Sequence, residues 1–250
     1  MKRLGLLLLL ALVLPAVASA DPPQPGIVHA PRPPGASLKD WGAELFAGNC
    51  SSCHGPNGEG LKDRGPSLEG VGALAADFYL ETGYMPLHEP TDQPHRGTQL
   101  LSGAEVKAIV AYVASLRGPA IPKPDPERGN VADGLQLFTQ HCAGCHQIVA
   151  QGGYVKGAVV PELGQATTTQ IAEAVRIGPY LMPRFSKKQI SDRQLDSIVA
   201  YVEYTQHPDN AGGWSIGDIG PVPEGLVAWL IAGVVLIGLC VVIGERLRRE

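Results

Sequence analysis

A duplicated cysteine motif constrains this chain more than any other feature. Cys50-Ser51-Ser52-Cys53-His54 and Cys142-Ala143-Gly144-Cys145-His146 share the pattern C-x-x-C-H at an offset of 92 residues. The sequence around them repeats as well. Gly42-Ala43-Glu44-Leu45-Phe46 matches Gly134-Leu135-Gln136-Leu137-Phe138 at the same offset, and Ile109-Val110-Ala111-Tyr112-Val113 matches Ile198-Val199-Ala200-Tyr201-Val202 at 89. Self-similarity at a fixed period marks repeated structural units. Two units are expected, at 38–117 and 129–207. In each, a short helix with an inward Phe leads into the motif, a Gly/Pro-rich loop region follows, and an amphipathic helix closes the unit. Val106, Ile109, Val110 and Val113 fall on one face of the first closing helix, and Leu195, Ile198, Val199 and Val202 on one face of the second. Ser102-x-x-Glu105 and Ser191-x-x-Gln194 are capping boxes in front of these helices. No period-two strand pattern stands out, so the expected fold is mainly α.

The motif carries specific chemistry. Two thiols three residues apart at the start of a helix can bond the two vinyl groups of one haem, and the next His then faces the iron. Cys50, Cys53, Cys142 and Cys145 are thus the expected covalent attachment points of two haem c groups, with His54 and His146 as iron ligands. Zinc commonly takes four ligands in two clusters, and a redox dithiol belongs with a βαβ context. Beyond Met1 the chain has two methionines, Met85 and Met182, one per unit, each downstream of its motif and each before a proline. They are the expected second axial ligands, with His88 the competitor in the first unit. His/Met ligation raises the reduction potential. It fills both axial positions, which suits electron transfer. The segments Gly65-Pro66 and Val160-Pro161 are expected to offer the backbone carbonyl that holds each ligand imidazole. No nucleophile–base pair stands out, so no catalytic residue is expected.

Apolar segments frame the repeat. Met1-Lys2-Arg3, an apolar run from Leu4 to Val17 and Ala18-Ser19-Ala20 have the three parts of a secretory signal peptide, 1–20. Residues 226–244 are 19 positions without a charge, about 28 Å of helix at ~1.5 Å per residue, which is enough to span a bilayer. The basic tail 245–250 marks the cytoplasmic side, so both units are expected on the outer face of the cell membrane. Proline-rich linkers are read at 21–37 and 118–128, and a juxtamembrane linker at 208–225. Between residues 21 and 225, 15 Lys+Arg stand against 22 Asp+Glu, a net of −7, which gives no footing for nucleic acid. Four of five cysteines belong to the motifs and Cys240 lies in the apolar run, so a disulfide framework is not expected.

Taken together, each unit resembles a class I cytochrome c. The whole chain resembles the diheme cytochrome cc subunit of actinobacterial-type cytochrome bcc complexes. The likeness includes the Gly/Pro-rich stretch from Gly212 to Gly225 around Trp214, ahead of the membrane span. The resemblance implies tandem class I cytochrome c domains and one C-terminal transmembrane helix. It also implies an electron-transfer role in a quinol–cytochrome c reductase, a translocase, with cytochrome b and a Rieske iron–sulfur protein as partners. Electrons would pass from the Rieske protein towards a cytochrome c oxidase. The alternatives are a diheme subunit of a haem–copper oxidase and an anchored electron acceptor of an exported dehydrogenase. The proline spacer further suggests that unit one is a tethered carrier.

Overall fold

The computed structural model describes residues 26–155, 157–208 and 221–249, the side chains of 221–224 excepted. The expected signal peptide and the stretch around Trp214 lie outside the described residues.

Unit one consists of α1 (Leu38–Asn49), α2 (Ser51–His54), α3 (Gly72–Glu81) and α4 (Gly103–Ser115). Ser37 caps α1 by accepting from the Asp40 amide. The Ser102 hydroxyl accepts from the Glu105 amide, and the Glu105 carboxylate accepts from the Ser102 amide, so the expected box opens α4. Burial works to raise the Glu105 carboxyl, but hydrogen bonds from Ser102 and His29 hold it below the ordinary carboxylate range. The apolar face of α4 is buried as its spacing predicts.

Unit two repeats the plan with α5 (Val131–His141), α6 (Ala143–His146), α7 (Thr168–Ile177) and α8 (Asp192–Gln206). A 3-10 turn at Pro126–Arg128 precedes it. The Ser191–Gln194 box forms, and the Leu195, Ile198, Val199 and Val202 face is buried. Two differences from the sequence-based expectation stand out. α3 and α7 are helices where the Gly/Pro content suggested only loops. A short antiparallel hairpin, β1 (Gly153–Val155) and β2 (Ala158–Val160), pairs Tyr154 with Val159.

The first and last helices of each unit cross at a glycine. A Cβ on Gly42 would lie 1.9 Å from the Ala108 carbonyl oxygen, and one on Gly134 would lie 2.0 Å from that of Ser197. Backbone therefore rests on backbone. This close approach brings Phe46 against Tyr112 in a tilted pair with ring centroids 4.9 Å apart, and Phe138 against Tyr201 at 5.3 Å.

The tethered-carrier expectation does not hold. α3 of unit one packs against α7 of unit two, and both units fall in one compact body. The spacer is tied down at both ends. The Leu74 amide donates to the Pro119 carbonyl at 3.2 Å, and the Asp125 amide to the Asp196 carboxylate at 2.9 Å. Glu173 of α7 is fully buried, and neither of its carboxyl oxygens has a hydrogen-bond partner among the described residues. Asp77 and Glu81 of α3 face it, and Lys107 of α4 faces those two. Burial, reinforced by the Asp77 carboxyl, pushes Glu173 up to about 9.

The C-terminal helix α9 (Pro221–Arg249) outruns the uncharged stretch and carries the basic tail as helix. Its segment Gly225–Arg249 is long and apolar enough to cross a membrane, with a mean hydropathy of 3.0 in its most apolar window. Trp229 is 79% exposed and Val234 71%, so the apolar surface is unburied all round, as a lipid-facing helix requires.

Two outcomes are expected. Gly134→Ala should destabilise unit two by about 3 kcal/mol, the upper end for overpacking, because the atom met is backbone; chemical denaturation measures it. The folded chain keeps a proton on Glu173 that the unfolded chain releases above its ordinary value of 4.5, so stability should fall as pH rises from there to about 9. Glu173→Gln should flatten that decline, raising the melting temperature at pH 8 but not at pH 4, at about 2–4 °C per kcal/mol for a body of this size.

Candidate functional site

Both motifs are built the same way. The Cys50 amide donates to the Phe46 carbonyl at 2.8 Å, and the His54 amide to Cys50 at 2.9 Å. In unit two the bonds from Cys142 to Phe138 and from His146 to Cys142 have the same lengths, 2.8 and 2.9 Å. The last turn of α1 or α5 thus delivers the first cysteine. The one-turn helix that follows puts the second cysteine and the histidine on its far end.

Each imidazole is held by a proline carbonyl, as the sequence indicates. His54 Nδ1 lies 2.8 Å from the Pro66 oxygen, and His146 Nδ1 lies 3.1 Å from that of Pro161. A carbonyl accepts only, so the ring proton stays on Nδ1 and Nε2 presents a free lone pair for a metal. Burial also lowers the His146 pKa, partly opposed by the Pro161 bond, and so favours the neutral ring that ligation needs. The two units bring their carbonyls in differently. In unit one a Cβ on Gly65 would lie 2.8 Å from the Cys53 oxygen and 3.2 Å from His54 Nδ1, so the loop presses directly on the motif. In unit two Gly152, at φ +73°, turns the chain into the hairpin, where a Cβ would lie 2.5 Å from the Val160 oxygen.

Both methionines are partly buried. Met85 packs on the core of unit one and Met182 on that of unit two. In unit two Cys142, Cys145, His146 and Met182 line a single cavity, whose other walls include Phe138, Leu163, Ile171 and Phe185. An apolar slot with an imidazole and a thioether among its walls fits a haem, and the two thiols beside them are the groups that could bond its vinyl carbons. A thiolate metal site fits less well. Burial pushes the Cys50 thiol up to about 12 and Cys142 up to about 11, with the paired cysteine adding to each. Among the described residues no cluster of three His, Cys, Asp or Glu side chains is placed to hold an ion. His88 and His141 are exposed, His141 lying edge-on to Phe185 with centroids 5.7 Å apart. Cys240 is exposed on α9.

Arg176 escaped sequence reasoning. Its largely buried guanidinium donates to the Phe185 carbonyl at 3.2 Å, the Ile190 carbonyl at 2.8 Å and the Asp192 carboxylate at 2.9 Å. These bonds tie the far half of the loop that carries Met182 back to α7. Lys187 and Arg176 hold the Asp192 carboxyl below its usual range. A single arginine in an amphipathic helix gives no local signal of this role.

Comparison with known proteins fits this geometry. A family model described as cytochrome c matches residues 40–117, and one described as cytochrome c oxidase, cbb3-type, subunit III matches 129–202. The cytochrome bc1 complex cytochrome c subunit of Mycobacterium tuberculosis is 38% identical, over 97% of this chain and 90% of its own length. That of Corynebacterium diphtheriae is 37% identical, over 84% and 82%. A cbb3-type cytochrome c oxidase subunit CcoP of an Azospirillum species is 29% identical over 64% of this chain and 60% of its own.

Arg176→Leu is expected to destabilise unit two by about 2–3 kcal/mol, since it strands two carbonyls. Hydrogen exchange should show faster amide exchange across 178–190 and little change in unit one.

Proposed function

We propose that this chain, which belongs to the family of cytochrome c subunits of the cytochrome bc1 complex, holds two covalently attached haem c groups and passes electrons from a Rieske iron–sulfur protein towards a cytochrome c oxidase. The observation that carries the reading is the duplicated site. Each unit has a cysteine pair, a histidine fixed through Nδ1 by a proline carbonyl, and one methionine packed on the core of the same unit.

Cys50, Cys53, Cys142 and Cys145 would form the thioether bonds. His54 and Met85 would be the axial ligands in unit one, and His146 and Met182 those in unit two. Bound there, haem supplies one-electron exchange at iron. The residues do the rest. The proline carbonyls orient each imidazole and keep its proton on Nδ1. The thioether of Met favours the reduced state, which raises the potential. Apolar walls exclude water from the slot. A His and a Met from this chain on each iron would leave no coordination site for a substrate, so quinol chemistry would belong to the cytochrome b partner. α9 would anchor the chain in the cell membrane, with the units on the outer face and the basic tail inside. Because the units pack as one body, electrons would cross between them without a swinging domain.

The match of unit two to a cbb3-type oxidase subunit favours a second reading, a diheme subunit of a haem–copper oxidase. Purification of the tagged chain from membranes separates the two. Cytochrome b and a Rieske protein should accompany it, with two c-type haems per chain, falling to one in Cys142→Ser/Cys145→Ser. A single haem in the unaltered chain overturns the central assignment, and a copper oxidase without cytochrome b favours the second reading.

A further inference from the structure

The cavity that holds the unit-two site is not closed by unit two alone. Phe78, Thr82, Tyr84 and Arg96 of unit one line it alongside Cys142, His146 and Met182. Phe78, Thr82 and Tyr84 are themselves buried. Arg96 is the only Arg or Lys among the described lining residues, and no Asp or Glu lines the cavity with it. Its guanidinium reaches Gln170 of α7 at 3.5 Å. The position of Arg96 is set by backbone. The Gly97 amide donates to the Thr82 carbonyl at 3.1 Å, and a Cβ on Gly83 would lie 2.4 Å from the Gly97 oxygen.

A haem carries two propionate carboxylates on the edge opposite its vinyl groups. Seated in a largely apolar slot, such carboxylates need a cationic or hydrogen-bonding partner. We infer that Arg96 of unit one is the counter-ion for the haem carboxylates of unit two, so that unit one completes the cofactor pocket of its neighbour. Gln170 and Tyr84 add uncharged donors beside it. The inference rests on the two-haem reading above. A guanidinium near the carboxylates disfavours the extra positive charge of ferric iron and keeps the carboxylates ionised. Arg96 therefore raises the unit-two potential and lowers the pH at which that potential begins to depend on protonation.

The test is spectroelectrochemical titration of the full-length chain in its membrane complex, from acid to alkaline pH. Met85→His, which moves only the unit-one potential, assigns the two waves. Arg96→Gln should make the unit-two haem about tenfold easier to oxidise, a fall of about 59 mV for one electron. The rise of that potential on acidification should also begin at a higher pH. Arg96→Lys should keep most of the unaltered behaviour, and Arg193→Gln, an exposed charge outside the cavity, should change neither property. Loss of the unit-two haem in Arg96→Gln with its return in Arg96→Lys also supports the proposal. An unchanged unit-two potential and pH profile with both haems in place overturns it. So does an equal shift of both waves, the same shift from Arg193→Gln, or haem loss in both Arg96 variants. A unit-two haem missing from the unaltered chain would instead overturn the two-haem reading itself.

Discussion

In each unit, the first helix lies against the last with no side chain between them. Gly42 meets the Ala108 carbonyl, and Gly134 meets that of Ser197. Everything nearer the site hangs on this contact. It sets the depth of Phe46 and Phe138, whose carbonyls receive the amides of the first motif cysteines. It also brings Tyr112 and Tyr201 beside those rings. The cysteine pair and its histidine are then one short turn further on. The geometry of the motif is thus inherited from a helix crossing some two turns upstream, which explains why the two copies repeat the same hydrogen bonds although the loops that close over them differ.

Those loops show how one task is met by two local solutions. Unit one brings Pro66 to its histidine by laying a glycine directly on the motif, whereas unit two brings Pro161 in on the end of a hairpin. What must be conserved between the copies is an acceptor of fixed direction, and a backbone carbonyl supplies it whatever the side chains do.

Much of the fold was legible because the signals are local. Capping boxes at Ser102 and Ser191, the apolar faces of α4 and α8, and the proline carbonyls all follow from a few adjacent residues. α3 was not legible. It has no side-chain cap at its start, and its apolar residues are too evenly spread to mark a face. α7 did carry a signal, the Thr167–Gln170 capping box, hidden among glycines and prolines. Glu173, Arg176 and Arg96 read as ordinary helix or loop charges. Their roles come from what the other helices bring against them, and no window of sequence contains that information.

The clamp between Gly83 and Gly97 has one more consequence. It binds into one piece the loop segment that carries Met85 and the one that carries Arg96. The duplication that made two equal modules has since made them unequal: one finishes the other. Unit one could not be cut away, or exchanged for a foreign copy, without leaving a gap in the pocket of unit two.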